Sequence, residues 1–159
     1  MKFDLVVYGA TGFTGRRTLR VLRQRAPELR IAAAGRNADK LAALGGDYLV
    51  ADSTNPESVR AMARQARVVV STAGPYAKYG DAVVDACVEE GAHYCDITGE
   101  TPWVRTVIDR LHDKAIDRGV RIVPFCGFDS VPSEMVALLA VQAWGPVACT
   151  GFMKVGGGG

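Results

Sequence analysis

Histidine is scarce in this chain, with only His93 and His112, and the four cysteines, Cys87, Cys95, Cys126 and Cys149, include no C-x-x-C pair. That spacing excludes the common zinc motifs, so no metal site is expected, and it suits reduced thiols in a cytoplasmic protein better than a disulfide framework. Long apolar runs are also missing. The longest nearly apolar stretch, Met135 to Ala143, falls well short of the ~20 residues needed to span a bilayer. Four apolar residues between Asp4 and Gly9 are too few for the core of a secretory signal. An excess of one charge is absent too: Lys plus Arg number 19 against 17 for Asp plus Glu, a net +2. The signs are interspersed except for Arg16, Arg17, Arg20, Arg23 and Arg25, which read as a solvated helix face. No nucleic acid partner and no acidic membrane face is expected.

What is present is an ordinary globular composition, 48% hydrophobic and 23% charged over 159 residues, enough to hold a core without cross-links. Apolar runs of strand length, Phe3–Tyr8, Arg30–Ala34, Asp47–Ala51, Arg67–Thr72, His93–Ile97 and Arg121–Phe125, alternate with stretches of helical period. They mostly lack the polar alternation of half-exposed strands and read as buried parallel strands in βαβ units. Asn55-Pro56-Glu57 opens one helix, expected to run to about Ala66, with Asn as cap and Pro in the first turn. Val104, Val107, Ile108, Leu111 and Ala115 form an apolar face that should cover the sheet, and Gly119 suits that helix's end. The last helix, about Pro132 to Trp144, is apolar nearly all round, so it should be buried or covered by something outside this stretch. Residues 1–146 read as one domain. Residues 147–159, with a candidate seventh strand at Val147–Val155 followed by four glycines, read as the start of a second, substrate domain or as a frayed tail.

The first strand runs directly into Gly9-Ala10-Thr11-Gly12-Phe13-Thr14-Gly15, which opens a helix. In G-x-x-G-x-x-G the first glycine permits a sharp turn, the second lets a pyrophosphate reach the backbone, and the third lets helix pack on strand. Unpaired N–H groups and the dipole at the helix start favour the phosphate. The expected fold is therefore a doubly wound parallel α/β sheet of Rossmann type, with strand order 3-2-1-4-5-6. Arg36 lies at the end of the second strand, where Asp or Glu would select the unphosphorylated cofactor; Arg can pair instead with a 2′-phosphate, so NADP(H) is favoured. Asn37 should cap the short helix that follows, and Lys40 in its first turn offers a second charge; the plainer alternative is that both cations are solvated surface groups.

Other strand ends add candidates. Asp52 and Ser53 either meet the adenine or form a turn. Thr72, Ala73, Gly74 and Pro75 are small enough for ribose and nicotinamide to lie against their backbone. Tyr76 and Tyr79 could donate a proton or wall the pocket, with packing the simpler role. Asp96 and Glu100 could be an acid–base pair, or Thr98 and Glu100 could begin the next helix. Asp129 is a further catalytic candidate, and Cys126 reads as a small buried thiol rather than a nucleophile. No tyrosine is followed four positions later by lysine, so the proton-donating pair of short-chain dehydrogenases is missing.

Five blocks taken together, Val7–Gly15, Ala34–Asn37, Ser71–Tyr76, His93–Glu100 and Cys126–Ser133, resemble the saccharopine dehydrogenase-like oxidoreductases, nearest the bacterial trans-acting enoyl reductases. The resemblance implies an NADP-dependent reductase acting on an enoyl or imine bond of a small or lipid-like substrate. It also implies a longer protein with a second α/β domain. A homodimer is compatible with it. The rival reading is a non-catalytic NADP(H)-binding sensor or interaction module.

Overall fold

The computed structural model of the chain describes residues 1–152. β1 (Phe3–Tyr8) is a central strand, and its apolar run is explained by helices on both faces: Val6 and Tyr8 enter one core cluster while Val7 enters the other. β2 (Ile31–Gly35), β3 (Tyr48–Val50), β4 (Ala66–Ser71), β5 (His93–Asp96) and β6 (Ile122–Val123) complete a six-stranded sheet in the order 3-2-1-4-5-6, all pairs parallel. Tyr8 aligns with Ala34 on one side and Ser71 on the other. Three strands thus end level, and the loops that follow them share one edge.

α1 (Phe13–Arg25) and α2 (Ala38–Ala42) send Leu19 and Leu41 into the smaller cluster. α3 (Pro56–Ala63), α4 (Tyr76–Glu90) and α5 (Thr101–Arg118) cover the opposite face through Val59, Met62, Val83, Val84, Val107 and Leu111. The Ala32-Ala33-Ala34 run of β2 is fully buried, its methyl side chains keeping helix-to-sheet spacing short on both sides. Trp103 packs its ring 5.5 Å from that of Tyr76 and donates its indole N–H to Asp81, 2.8 Å away. Arg64 meets Glu90 through two hydrogen bonds of 2.9 and 2.8 Å, and Arg110 meets Asp81 and Asp85, so α3, α4 and α5 are laced on their outer side.

Several expected boundaries move. α3 ends at Ala63 rather than about Ala66, because the Gln65 carbonyl accepts from the N–H groups of both Lys2 and Phe3 and the chain has already turned into β4. β3 and β6 shrink to three and two residues. As edge strands they are not buried: Tyr48, Val50 and Val123 are exposed. Ile108 departs from the buried face of α5 and is 43% exposed, in an apolar groove with Ile116 and Ile122 beside the β6 edge. α6 (Val131–Trp144) buries no residue, and Val136, Leu139 and Trp144 are 68%, 63% and 76% exposed. The alternative of a buried last helix is thereby corrected, and an apolar surface takes its place. Val147–Phe152 carries no strand, and the rest of the expected seventh strand lies outside the described residues.

Candidate nucleotide-binding site

β1 ends at Tyr8, and Gly9 turns the chain at φ +80°, a conformation that disfavours any side chain. A Cβ on Gly9 would also press on Ala73 and on the Thr72 hydroxyl, each 3.0 Å away. Gly12 stands at the cap position of α1 and offers no side-chain acceptor. Among the described residues, the N–H groups of Phe13, Thr14 and Gly15 meet no protein acceptor. Three aligned donors at the positive end of a helix, with no side chain covering them, fit a pyrophosphate.

The cleft above these groups has two adjoining lobes of about 260 and 90 Å³. Gly9, Thr11, Gly12, Arg36, Thr72, Ala73, Gly74 and Ser53 line it, bringing together residues from four strand ends. Tyr8, Gly35 and Tyr79 line it as well. Tyr8 was legible only as a strand residue; its hydroxyl accepts the Ser53 N–H at 3.1 Å and so fixes the loop after β3 against the cleft. Arg36 is exposed at the mouth, and its charge contributes to holding the Asp52 carboxyl below its ordinary range, after the larger effect of the hydrogen bond from the Thr54 N–H. Asp52 accepts from both the N–H and the hydroxyl of Thr54, which makes it a turn residue.

Other candidates stand apart from the lining. Ala10 is buried beneath it, Phe13 and Thr14 are exposed at the helix start, and Gly15 sits under Gly9. Asn37 caps α2 through a 2.8 Å bond from the Lys40 N–H, and the Lys40 side chain points into solvent outside the lining. Pro75 precedes α4 at the end of the Thr72–Pro75 loop. The arginines of α1 are not all solvated: Arg16 donates to the Thr11 carbonyl, and Arg23 to those of Leu44 and Gly45.

Tyr76 is buried, with its hydroxyl donating to the Ser71 carbonyl at 2.9 Å, and burial pushes its pKa above the ordinary tyrosine value. The side chain is thereby tied to the end of β4. Asp96 is buried too; burial raises its pKa, opposed by hydrogen bonds from the Thr98 N–H, the Tyr94 hydroxyl and the Phe125 N–H. Glu100 accepts the N–H groups of Tyr76 and Ala77, so both carboxyls hold backbone N–H groups. The expected buried thiol at Cys126 is exposed instead and donates to the Val123 carbonyl. Asp129 is exposed, its carboxylate lying over Gly99 and Gly127, where Cβ atoms would come within 3.2 and 2.5 Å of it.

Residues 5–123 match the family described as the saccharopine dehydrogenase NADP binding domain. A trans-acting enoyl reductase of Mycobacterium ulcerans is 45% identical over 143 residues, covering 84% of this chain and 34% of the relative. The chain thus spans about a third of the length of that relative. Among solved structures, saccharopine dehydrogenase (L-Glu forming) of Saccharomyces cerevisiae superposes with a TM-score of 0.75 at 17% identity, over 89% of this chain and 31% of that one. Triphenylmethane reductase of Citrobacter sp., complexed with NADP(H), superposes at 0.60 and 21% identity, over 77% and 48%. These two likenesses concern the fold. With the glycine loop, the sheet order and the family match over residues 5–123 in agreement, the chain belongs to the saccharopine dehydrogenase NADP-binding domain family.

Proposed function

We propose that this chain is the cofactor domain of an NADP-dependent reductase that delivers hydride to an enoyl or imine bond. The observation that carries the reading is that Gly12, at the cap of a helix whose first three N–H groups meet no protein acceptor among the described residues, lines one cleft with Arg36. In this reading Phe13, Thr14 and Gly15 hold the pyrophosphate, Arg36 pairs with the 2′-phosphate, and Ser53 borders the adenosine half. Thr72, Ala73 and Gly74 form the wall along which the nicotinamide half lies. NADPH supplies the hydride when bound; the protein's part is to orient it.

The enoyl preference rests on the M. ulcerans relative's name. Because Tyr76 is committed to Ser71 and Asp129 stands outside the cleft lining, Tyr79 is left as the proton-donor candidate that lines the cleft, and the substrate pocket is assigned to a second unit that begins near residue 147 and accounts for the relatives' additional length. Such a unit would also cover α6. The test is consumption of NADPH, followed by its absorbance, with enoyl thioesters and cyclic imines. Consumption with an enoyl thioester is expected. Saturable NADPH binding with no consumption for either class, in this chain or in one extended to the relatives' length, would favour the sensor reading instead.

A further inference from the structure

α4 begins with Pro75 at its cap position, a residue with no side-chain acceptor, yet its first two N–H groups are both satisfied from another part of the chain. One oxygen of Glu100 accepts from Tyr76 at 2.7 Å and the other accepts from Ala77 at 2.8 Å. The two helix starts at this edge of the sheet therefore differ. That of α1 is open to an anion, whereas that of α4 already holds a carboxylate.

Glu100 is itself held in place. Its N–H donates to the Thr98 hydroxyl at 3.0 Å, and the Thr98 N–H donates to Asp96 at 3.0 Å, with Thr98 and Asp96 both 1% exposed. On the other side of the loop, Thr72 donates both its N–H and its hydroxyl to the Tyr8 carbonyl at 2.9 Å. Ala73 and Gly74, which line the cleft, are thus suspended between Thr72 and a helix start whose first two N–H groups are held by Glu100, while the Tyr76 ring is held separately by Ser71 and Trp103.

We propose that Glu100 is a positioning residue for the nicotinamide half of the cofactor, acting through the backbone of Tyr76 and Ala77 to set the wall formed by Ala73 and Gly74. This rests on the cofactor placement proposed above. A glutamine at position 100 would aim its NH₂ at one of two N–H donors, so one bond becomes a donor-to-donor clash and the loop loses its fixed height.

The test compares NADPH with 2′,5′-ADP, which carries the adenosine end alone, on the native chain and on Glu100→Gln. The expected result is a loss of roughly tenfold in NADPH affinity, about one charge-assisted hydrogen bond, with 2′,5′-ADP affinity unchanged. Equal affinities of both proteins for both ligands, or equal losses for both ligands, would overturn the assignment. Amide exchange on the native chain provides a second reading that needs no variant: the Tyr76 and Ala77 amides should slow when NADPH binds but not when 2′,5′-ADP binds. Identical rates with both ligands would contradict the proposal. Failure of the native chain to bind NADPH at all would defeat the cofactor placement itself, and this inference with it.

Discussion

The carbonyl of Gly9 occupies the space in which a side chain on Gly15 would begin, and the Cα of Ala10 is 2.8 Å from the same point. Helix α1 rests directly on the turn that follows β1. Gly15→Ala must push the two apart, at a cost of about 1–3 kcal/mol. A Cβ on Gly12 would meet only the Gly9 carbonyl, at 3.3 Å. Gly12→Ala should therefore lower NADPH affinity with a smaller change in thermal stability. Melting curves and titrations of both variants check this; equal destabilisation would show that both glycines serve the fold alone.

The glycine loop was legible because its function depends on backbone shape, which glycine spacing encodes directly. Arg36 and the small residues after β4 were legible because strand ends in an open α/β sheet meet at one edge. What escaped depends on contacts distant in sequence. Nothing near Tyr8 announces that its hydroxyl will accept the N–H of Ser53, 45 positions away. Glu100 read as one member of an acid–base pair or the start of α5, since its partners belong to a different helix start, and β5 lying beside β4 brings them together. The shortness of β3 and β6 follows from their edge positions, which periodicity cannot distinguish from central ones.

The two tryptophans report opposite environments. Trp103 is 6% exposed between α4 and α5, and Trp144 is 76% exposed at the end of α6. Acrylamide quenching of tryptophan emission should show an accessible and a protected component, and Trp144→Phe should remove the accessible one. Uniform protection in the native chain would mean that α6 is covered in solution.

Arg64 holds Glu90 below the ordinary carboxylate range through its paired hydrogen bonds. A carboxyl with a depressed folded-state pKa contributes stability that is complete above its unfolded value, about 4.3, and is lost as pH falls through the folded value. Glu90→Gln should therefore flatten the fall in unfolding free energy below about pH 4.3 and leave the neutral-to-alkaline limb parallel to that of the native chain. Denaturant titrations across pH measure it. An unchanged acid slope would show that solvent screening cancels the pair.

With the 2′-phosphate placed at Arg36, that end of the cleft selects between the phosphorylated and unphosphorylated cofactor. Calorimetric titration of the native chain and of Arg36→Glu with NADPH and NADH decides it. The native chain should bind NADPH more tightly. The variant should lose on the order of 1.5–3 kcal/mol toward NADPH, roughly ten- to a hundredfold, because a charge-assisted bond to the 2′-phosphate is replaced by repulsion. Its affinity for NADH should change little, reversing the preference. Equal losses for both cofactors, or no change for either, would contradict the placement of the 2′-phosphate at Arg36.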